Sequence, residues 1–367
     1  PMTANWFNQP LNVDFSTTEG AKAYQVAVNL QGDWQPSRMG ILPAQVNDAL
    51  NGSIAWNGKV GIDLPYHAGP TYNVELKGDL KNVSSHLPSP LNKAAGEALP
   101  VNVKANGNLR SFDLTGNAGS KNHFNSRWLL NQKLTLDRAI WASESRTVPA
   151  LPDQQGIELN LPPMDGAQWL ALFQKGAVDN VGSNANFPQR ITVRTPSLSL
   201  GGQQWNNLSI VSEPASNGST VQAQGREINA TLAMRNNAPW LANIKYLYYN
   251  PSAAKPSQNS TPASPFSAID NVSFRGWPDL QLRCAECWMW GQKYGRIDAD
   301  VAIKGDTLTL SNGLLDTGFA RLTTDGVWVN APGKERTSLK GKLSGNKIDS
   351  AAGFFGVSTP IRNSSFN

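Results

Sequence analysis

Between residues 72 and 114 the chain writes one pattern twice. Tyr72, Val74, Leu76 and Leu80 alternate with Asn73, Glu75, Lys77 and Asp79, and a period of two belongs to a strand with one apolar and one wet face. Val101, Val103 and Ala105, then Phe112 and Leu114, repeat it. Between them, Pro88, Pro90 and Pro100 have no amide to give to a ladder, so this segment is expected to leave the sheet and rejoin it.

The same alternation recurs along the chain. It predicts a first strand over residues 22–30 on Tyr24, Val26, Val28 and Leu30. A short helix is expected near residues 43–50, with Pro43 in its first turn and Gly52 past its end. Residues 53–64 read as a hairpin, with Asn57-Gly58 as a type I′ turn between Ile54/Trp56 and Val60/Ile62/Leu64. Strands follow at 124–130, 134–141 and 157–161. The period then changes: Asp165 and Gln168 stand three apart like a capping box, and Trp169, Leu170, Leu172 and Phe173 form a helical stripe stopped by Gly176. This helix near 166–175 either packs on the sheet or closes over it.

From Ile191 the strands resume as a consecutive antiparallel meander through Met234, with Gly201-Gly202 and Asn217-Gly218 as turns. Residues 251–265 hold Pro, Ser and a single charge, a composition that buries too little to fold alone, so a flexible loop is expected there. Val272, Phe274, Leu280 and Leu282 open a further series that runs to Leu343. The expected organisation is one sheet over residues 1–250, the loop at 251–265 as an excursion, and a continuation over 266–367. Strand-end phrases recur at Leu76-Lys77-Gly78-Asp79, Ile303-Lys304-Gly305-Asp306 and Leu339-Lys340-Gly341-Lys342, which reads as a weak stacked array. Alternation assigns Tyr24, Val26, Val28, Ile54, Trp56, Tyr72, Val74, Leu76, Val101, Val103, Ile228, Leu232, Ile297, Ala299, Val301 and Ile303 to the inner apolar face.

Composition narrows the chemistry. Charged residues are 16% of the chain, with Gly 32 and Pro 24, which fits a turn-rich β protein better than an average domain at roughly a quarter charged. The net charge is +5, but Lys and Arg are scattered with no basic helix, which argues against a nucleic-acid partner. No apolar run is long enough to span a bilayer and no signal peptide opens the chain, so an anchor and address are expected in a longer protein. His67, His86 and His123 stand apart in what read as surface loops, without metal-ligand spacing. No nucleophile elbow or phosphate loop is present, so neither catalytic residues nor a cofactor are expected. Cys284 and Cys287 form a disulfide in an oxidising compartment, or else remain two buried thiols. Trp56, Trp128, Trp141 and Trp328 sit within strand patterns, where they either pack a core or line a surface for acyl chains.

Many strands and only two or three short helices leave an apolar face that must close on itself, meet a second sheet or hold apolar ligand. Three functions fit: a lipid conduit, a structural or adhesive β-solenoid, and a carbohydrate-active β enzyme. Sequence gives strand faces but not curvature, so groove and sandwich remain open at this level.

Residues 80–100, followed by a short strand, resemble a signature of the large AsmA-like proteins of Gram-negative bacteria. Residues 165–170, the strands from Ile191 to Met234, and residues 277–283 with 295–298 extend the similarity over nearly the whole chain. The resemblance implies a mainly β fold: a long, twisted antiparallel sheet curled into an open groove. It also implies a periplasmic place, an inner-membrane anchor, and a role in moving phospholipid between the inner and outer membranes, which supports the outer-membrane permeability barrier. The implied partners are phospholipid acyl chains and, through other parts of the protein, the two membranes.

Overall fold

The computed structural model describes residues 2–40, 44–169, 185–251, 276–331 and 333–354. Strands take up 65% of the described residues, against roughly a quarter in an average domain, and no barrel closes among them. The chain divides into two compact units, Pro1–Leu200 and Gly201–Asn367.

The first unit contains β1 (Met2–Trp6), β2 (Gln9–Glu19), β3 (Ala23–Trp34), β4 (Leu50–Asn51), β5 (Ile54–Pro65), β6 (Thr71–Asp79), β7 (Ser84–Ser85) and β8 (Pro100–Asn108). It continues with β9 (Ser111–Ala118), β10 (Asn122–Leu130), β11 (Leu134–Ala142), β12 (Gly156–Asn160), β13 (Met164–Asp165), β14 (Ala185–Asn186) and β15 (Ile191–Leu200). The long strands from β1 to β11 pair antiparallel in chain order. β12 then joins β11 in parallel, and β15 joins β12 in parallel. A parallel pair needs a long crossover, and residues 143–155 supply it. Asn125 Nδ2 donates to Pro149 O at 2.9 Å and Arg138 Nη1 to Pro152 O at 3.2 Å, which holds the crossover on the polar face.

The expected hairpin at residues 53–64 is instead one continuous strand. In β5, Asn57 opposes Gln31 and Lys77, while Gly58 opposes Leu30 and Leu76. A Cβ on Gly58 would meet Leu76 Cδ2 at 2.5 Å, so the glycine serves close packing between neighbouring leucines rather than a turn. Two strands that the alternation did not predict, β1 and β2, precede residue 22 and pair with each other, and β2 pairs with β3. His123 lies half-buried in β10 opposite Asn117 and Ala142, not in a surface loop. The segment between β6 and β8 does leave and rejoin the sheet, because those two strands pair directly. The short helix falls at Ala44–Asp48. A second begins at 166–169, where Ala167 N donates to Asp165 Oδ1 at 3.0 Å; its expected continuation through Leu170, Leu172, Phe173 and Gly176 lies outside the described residues.

The second unit contains β16 (Gln203–Ala215), β17 (Gly218–Gln224), β18 (Ile228–Arg235), β19 (Trp240–Tyr249), β20 (Leu280–Met289), β21 (Gln292–Lys304), β22 (Thr307–Asp316), β23 (Ala320–Val329) and β24 (Arg336–Gly345), then a helix at Ile348–Phe354. Pairing is antiparallel from β16 to β19 and from β20 to β24. β19 and β20 are parallel, so the meander is interrupted there as it is at β12 and β15. Most of the expected loop at 251–265, with Val272 and Phe274, lies outside the described residues. Of the recurring phrases, only Gly305 marks a turn, with φ at 60°. Gly78 and Gly341 stand inside β6 and β24.

Candidate functional site

Directly opposed residues of neighbouring strands point to the same side of a sheet, so the registers trace its faces. In the first unit one row runs Phe15, Val28, Val60, Val74, Ala105, Leu114, Ser126, Ala139, Ile157 and Ile191. A parallel row runs Val13, Leu30, Gly58, Leu76, Val103, Gly116, Phe124, Trp141, Leu159 and Val193. A third carries Val26, Ile62, Tyr72, Gly107, Phe112 and Trp128. Tyr24, Ile54, Trp56 and Val101 share this face through Leu64, Trp34, Gly78 and Ala118.

The second unit repeats the arrangement. Ile210, Ala223, Ala230, Ile244, Cys284, Ile297, Leu315, Leu322 and Leu343 form one row. Val221, Leu232, Ala242, Leu282 and Ala299 form a second. Leu280, Val301 and Leu310 make a third, and Ile303, Leu308 and Trp328 a fourth. Ile228 reaches the same face opposite Leu247, which opposes Cys287. The sixteen residues picked from alternation thus fall on one face within each unit. Leu30, Ile62, Phe112, Phe124, Leu282 and Leu315, absent from those sixteen, share it, although Leu30, Ile62, Phe112 and Leu282 already stand in the predicted strand patterns.

These side chains are neither buried nor free. All sixteen are half-buried except Tyr24, which is 37% exposed. Only thirteen apolar side chains are fully buried among the described residues, far short of the core that strands of this number would make in a closed sandwich. Aromatic rings pave the face in cross-strand stacks: Phe124 on Trp141 and Phe112 on Trp128, each with ring centres 6.1 Å apart.

Charge is kept to the other face. Glu75 pairs with Lys77 at 3.1 Å, Arg194 with Glu158 at 2.9 Å, and Arg296 with Asp298 at 2.6 Å. The Arg127 guanidinium grips both oxygens of Asp113, at 2.7 and 2.9 Å, and holds that carboxyl below its usual range. Asp300 is likewise lowered, by hydrogen bonds from Asn312 at 2.9 Å and Arg283 at 2.7 Å. Each of these groups alternates with the apolar rows, so the register that gathers the rows puts the charges behind them.

Cys284 and Cys287 are joined by a disulfide within β20, with their Cα atoms 6.2 Å apart. The strand's register slips between them, and the link spans that irregularity while both sulfurs stay among the apolar rows. They are 1% and 3% exposed. No group of His, Cys, Asp and Glu able to hold a metal occurs among the described residues, and no helix there is long and apolar enough to cross a membrane.

The family described as YhdP protein matches this chain over residues 1–367. The chain is 75% identical over 367 residues to the Escherichia coli (strain K12) protein named intermembrane phospholipid transporter YhdP, and it covers 29% of that protein's length. No solved structure matches. A match over every residue at this identity leaves one assignment: the chain belongs to the YhdP family.

Proposed function

We propose that the apolar face is the floor of a lipid conduit, and that this chain is a periplasmic segment of a longer bridge carrying phospholipid between the inner and outer membranes. The anchor in the inner membrane and the contacts with both membranes belong to other parts of the protein. The observation that carries this reading is the set of apolar rows, mostly half-buried, interrupted by little more than Ser126 and glycines and free of ion pairs, across the strands of each unit. Such a face offers acyl chains about 0.8 kcal/mol per methylene taken from water. The headgroup stays in water, because burying an unpaired phosphate costs far more than a methylene gains. No residue has to perform chemistry, and the name of the E. coli relative supports the choice of cargo.

The test is a photo-crosslinking amino acid placed in the full-length protein at Val74 or Val301, with Glu75 as the outward control. Phospholipid captured at the first two positions and not at Glu75 supports the conduit. Equal capture at all three, or none at Val74 and Val301, overturns it.

A further inference from the structure

The segment between β6 and β8 builds a small lobe at one rim of the first unit's sheet. Asp79 Oδ1 accepts from Lys81 N at 2.9 Å and Leu99 N at 2.8 Å, which pins both ends of the excursion together. β4 pairs with β7, and Ser85 exchanges main-chain hydrogen bonds with Lys93 at 2.8 and 3.0 Å. Val83 and Leu87, 4% and 5% exposed, form its core. Trp169 Nε1 donates to Ser89 O at 2.9 Å, so the helix that begins at 166 ties the lobe down.

Beneath the lobe lies a pocket of about 460 Å³, lined by apolar side chains that include Leu50, Val83, Leu87 and Leu99. Its wall also includes Trp141, which stands in the apolar row beside Phe124. The pocket therefore shares a wall residue with the floor. Two charged residues line it, Lys93 and Glu97. The Lys93 ammonium donates to Val83 O and Ala94 O, each at 2.9 Å, which leaves one of its three N–H groups. Among the described residues neither charge has an ion-pair partner, and the two are not paired with each other.

A mainly apolar pocket whose two charges are a half-buried cation and a solvent-exposed anion, neither in an ion pair, matches a ligand with an acyl chain, a phosphate and an amine. We propose that this pocket is a headgroup station for a zwitterionic glycerophospholipid bearing a primary amine, with Lys93 taking the phosphate and Glu97 the ammonium. The proposal rests on the conduit reading and adds a headgroup preference to it. A lipid whose headgroup carries the phosphate alone gains Lys93 but meets Glu97 as a like charge, so it binds less well.

The test measures binding of three acyl-labelled lipids to the full-length protein in detergent: phosphatidylethanolamine, phosphatidylglycerol and diacylglycerol. Lys93→Gln is expected to weaken both phospholipids about tenfold, the scale of one charge-assisted hydrogen bond, and to leave diacylglycerol unchanged. Lys93→Arg keeps the charge and most of the affinity. Glu97→Gln is expected to weaken phosphatidylethanolamine alone, removing its advantage over phosphatidylglycerol. Excess inorganic phosphate does not compete. The station is overturned if Glu97→Gln affects both phospholipids alike, if Lys93→Gln changes none of the lipids or all three equally, or if inorganic phosphate displaces the lipid. Should Lys93→Gln fail to fold, the Glu97→Gln comparison decides by itself. Parent protein that binds all three lipids equally removes the station and leaves the conduit. Parent protein that binds none removes both.

Discussion

The units Pro1–Leu200 and Gly201–Asn367 carry the same kind of apolar face and equip it differently. The first folds connections onto its sheet: the lobe between β6 and β8 at a rim, and the crossover at 143–155 on the polar side. The second keeps short turns between β20 and β24 and reinforces an irregular strand with a disulfide. The lesson lies in what the added parts avoid. Neither the crossover nor the disulfide introduces charge on the apolar rows, so the rows are the shared requirement and the additions are local solutions to local faults in the ladder.

A charge on the rows is the strongest way to break that comparison. Val74→Asp in the first unit and Val301→Asp in the second are each expected to cut phospholipid transport by more than tenfold, while Glu75→Lys on the opposite face leaves it intact. Both valines are half-exposed, so the new carboxylate keeps much of its hydration and the chain still folds, unlike the same change in a closed core. Transport by the full-length protein, with thermal melting as the folding control, reads the result. If folded Val301→Asp protein transports normally, the second unit is not part of the path.

Next in size is the glycine packing. Gly58→Val is expected to destabilise the first unit by about 2 kcal/mol, as overpacking does, and Leu76→Ala in the same chain should recover much of the loss. Gly326 in the second unit faces Leu339, which is 64% exposed and can swing aside, but a Cβ there would also stand 2.9 Å from the main-chain Ser338 O, which cannot, so Gly326→Val is expected to cost more than Gly58→Val. Denaturant melts of the three variants measure both effects. Absence of recovery at Gly58 would mean that backbone shape, not the leucine, requires the glycine.

That glycine also shows where sequence reading stops. Alternation located the apolar face in most long strands, because parity survives any bend of the sheet. Asn57-Gly58 has the composition of a tight turn, and only the neighbouring strand reveals that Leu76 packs where a side chain on Gly58 would stand. In β2 Leu11, Val13 and Phe15 alternate, but Pro10 and the polar run after Phe15 weaken the pattern. The parallel joins at β12, β15 and β20 left no local mark, because the direction of pairing depends on the connection and not on the strand. The Lys93 and Glu97 pair was equally hidden, being a product of how the lobe folds back on the sheet.

The disulfide offers a smaller test, confined to the second unit. Its loop is short, with a sequence separation of 3, so chain entropy gives about 2 kcal/mol at most. Reduction, or Cys284→Ser with Cys287→Ser, is expected to lower the melting temperature of the second unit and leave the first unchanged. Hydrogen exchange followed separately on β8 and β21 resolves the two. An equal loss of protection on both strands would show that the units do not unfold independently.

The smallest expected effect sets the polar faces of the two units against each other in acid. Asp113 in the first unit and Asp300 in the second are both held below their ordinary range by hydrogen-bonding partners. A carboxylate whose folded pKa is lowered stabilises the protein above its unfolded value, about 3.9 for Asp, and loses that contribution as pH falls through the lower folded value. Asp113→Asn and Asp300→Asn should therefore each be less stable than the parent at pH 7, with the difference fading below about pH 4. The side chains of Asp113 and Arg127 are 42% and 39% exposed, so screening keeps that pair within about 1 kcal/mol. Asp300 is 23% exposed and also takes the Asn312 hydrogen bond, so its loss is the larger of the two. Urea melts at pH 7 and pH 3 compare the variants. A difference that grows toward pH 3 would contradict the direction of both shifts, and a larger loss at Asp113 would show that two-point contact with one arginine outweighs the shared network around Asp300.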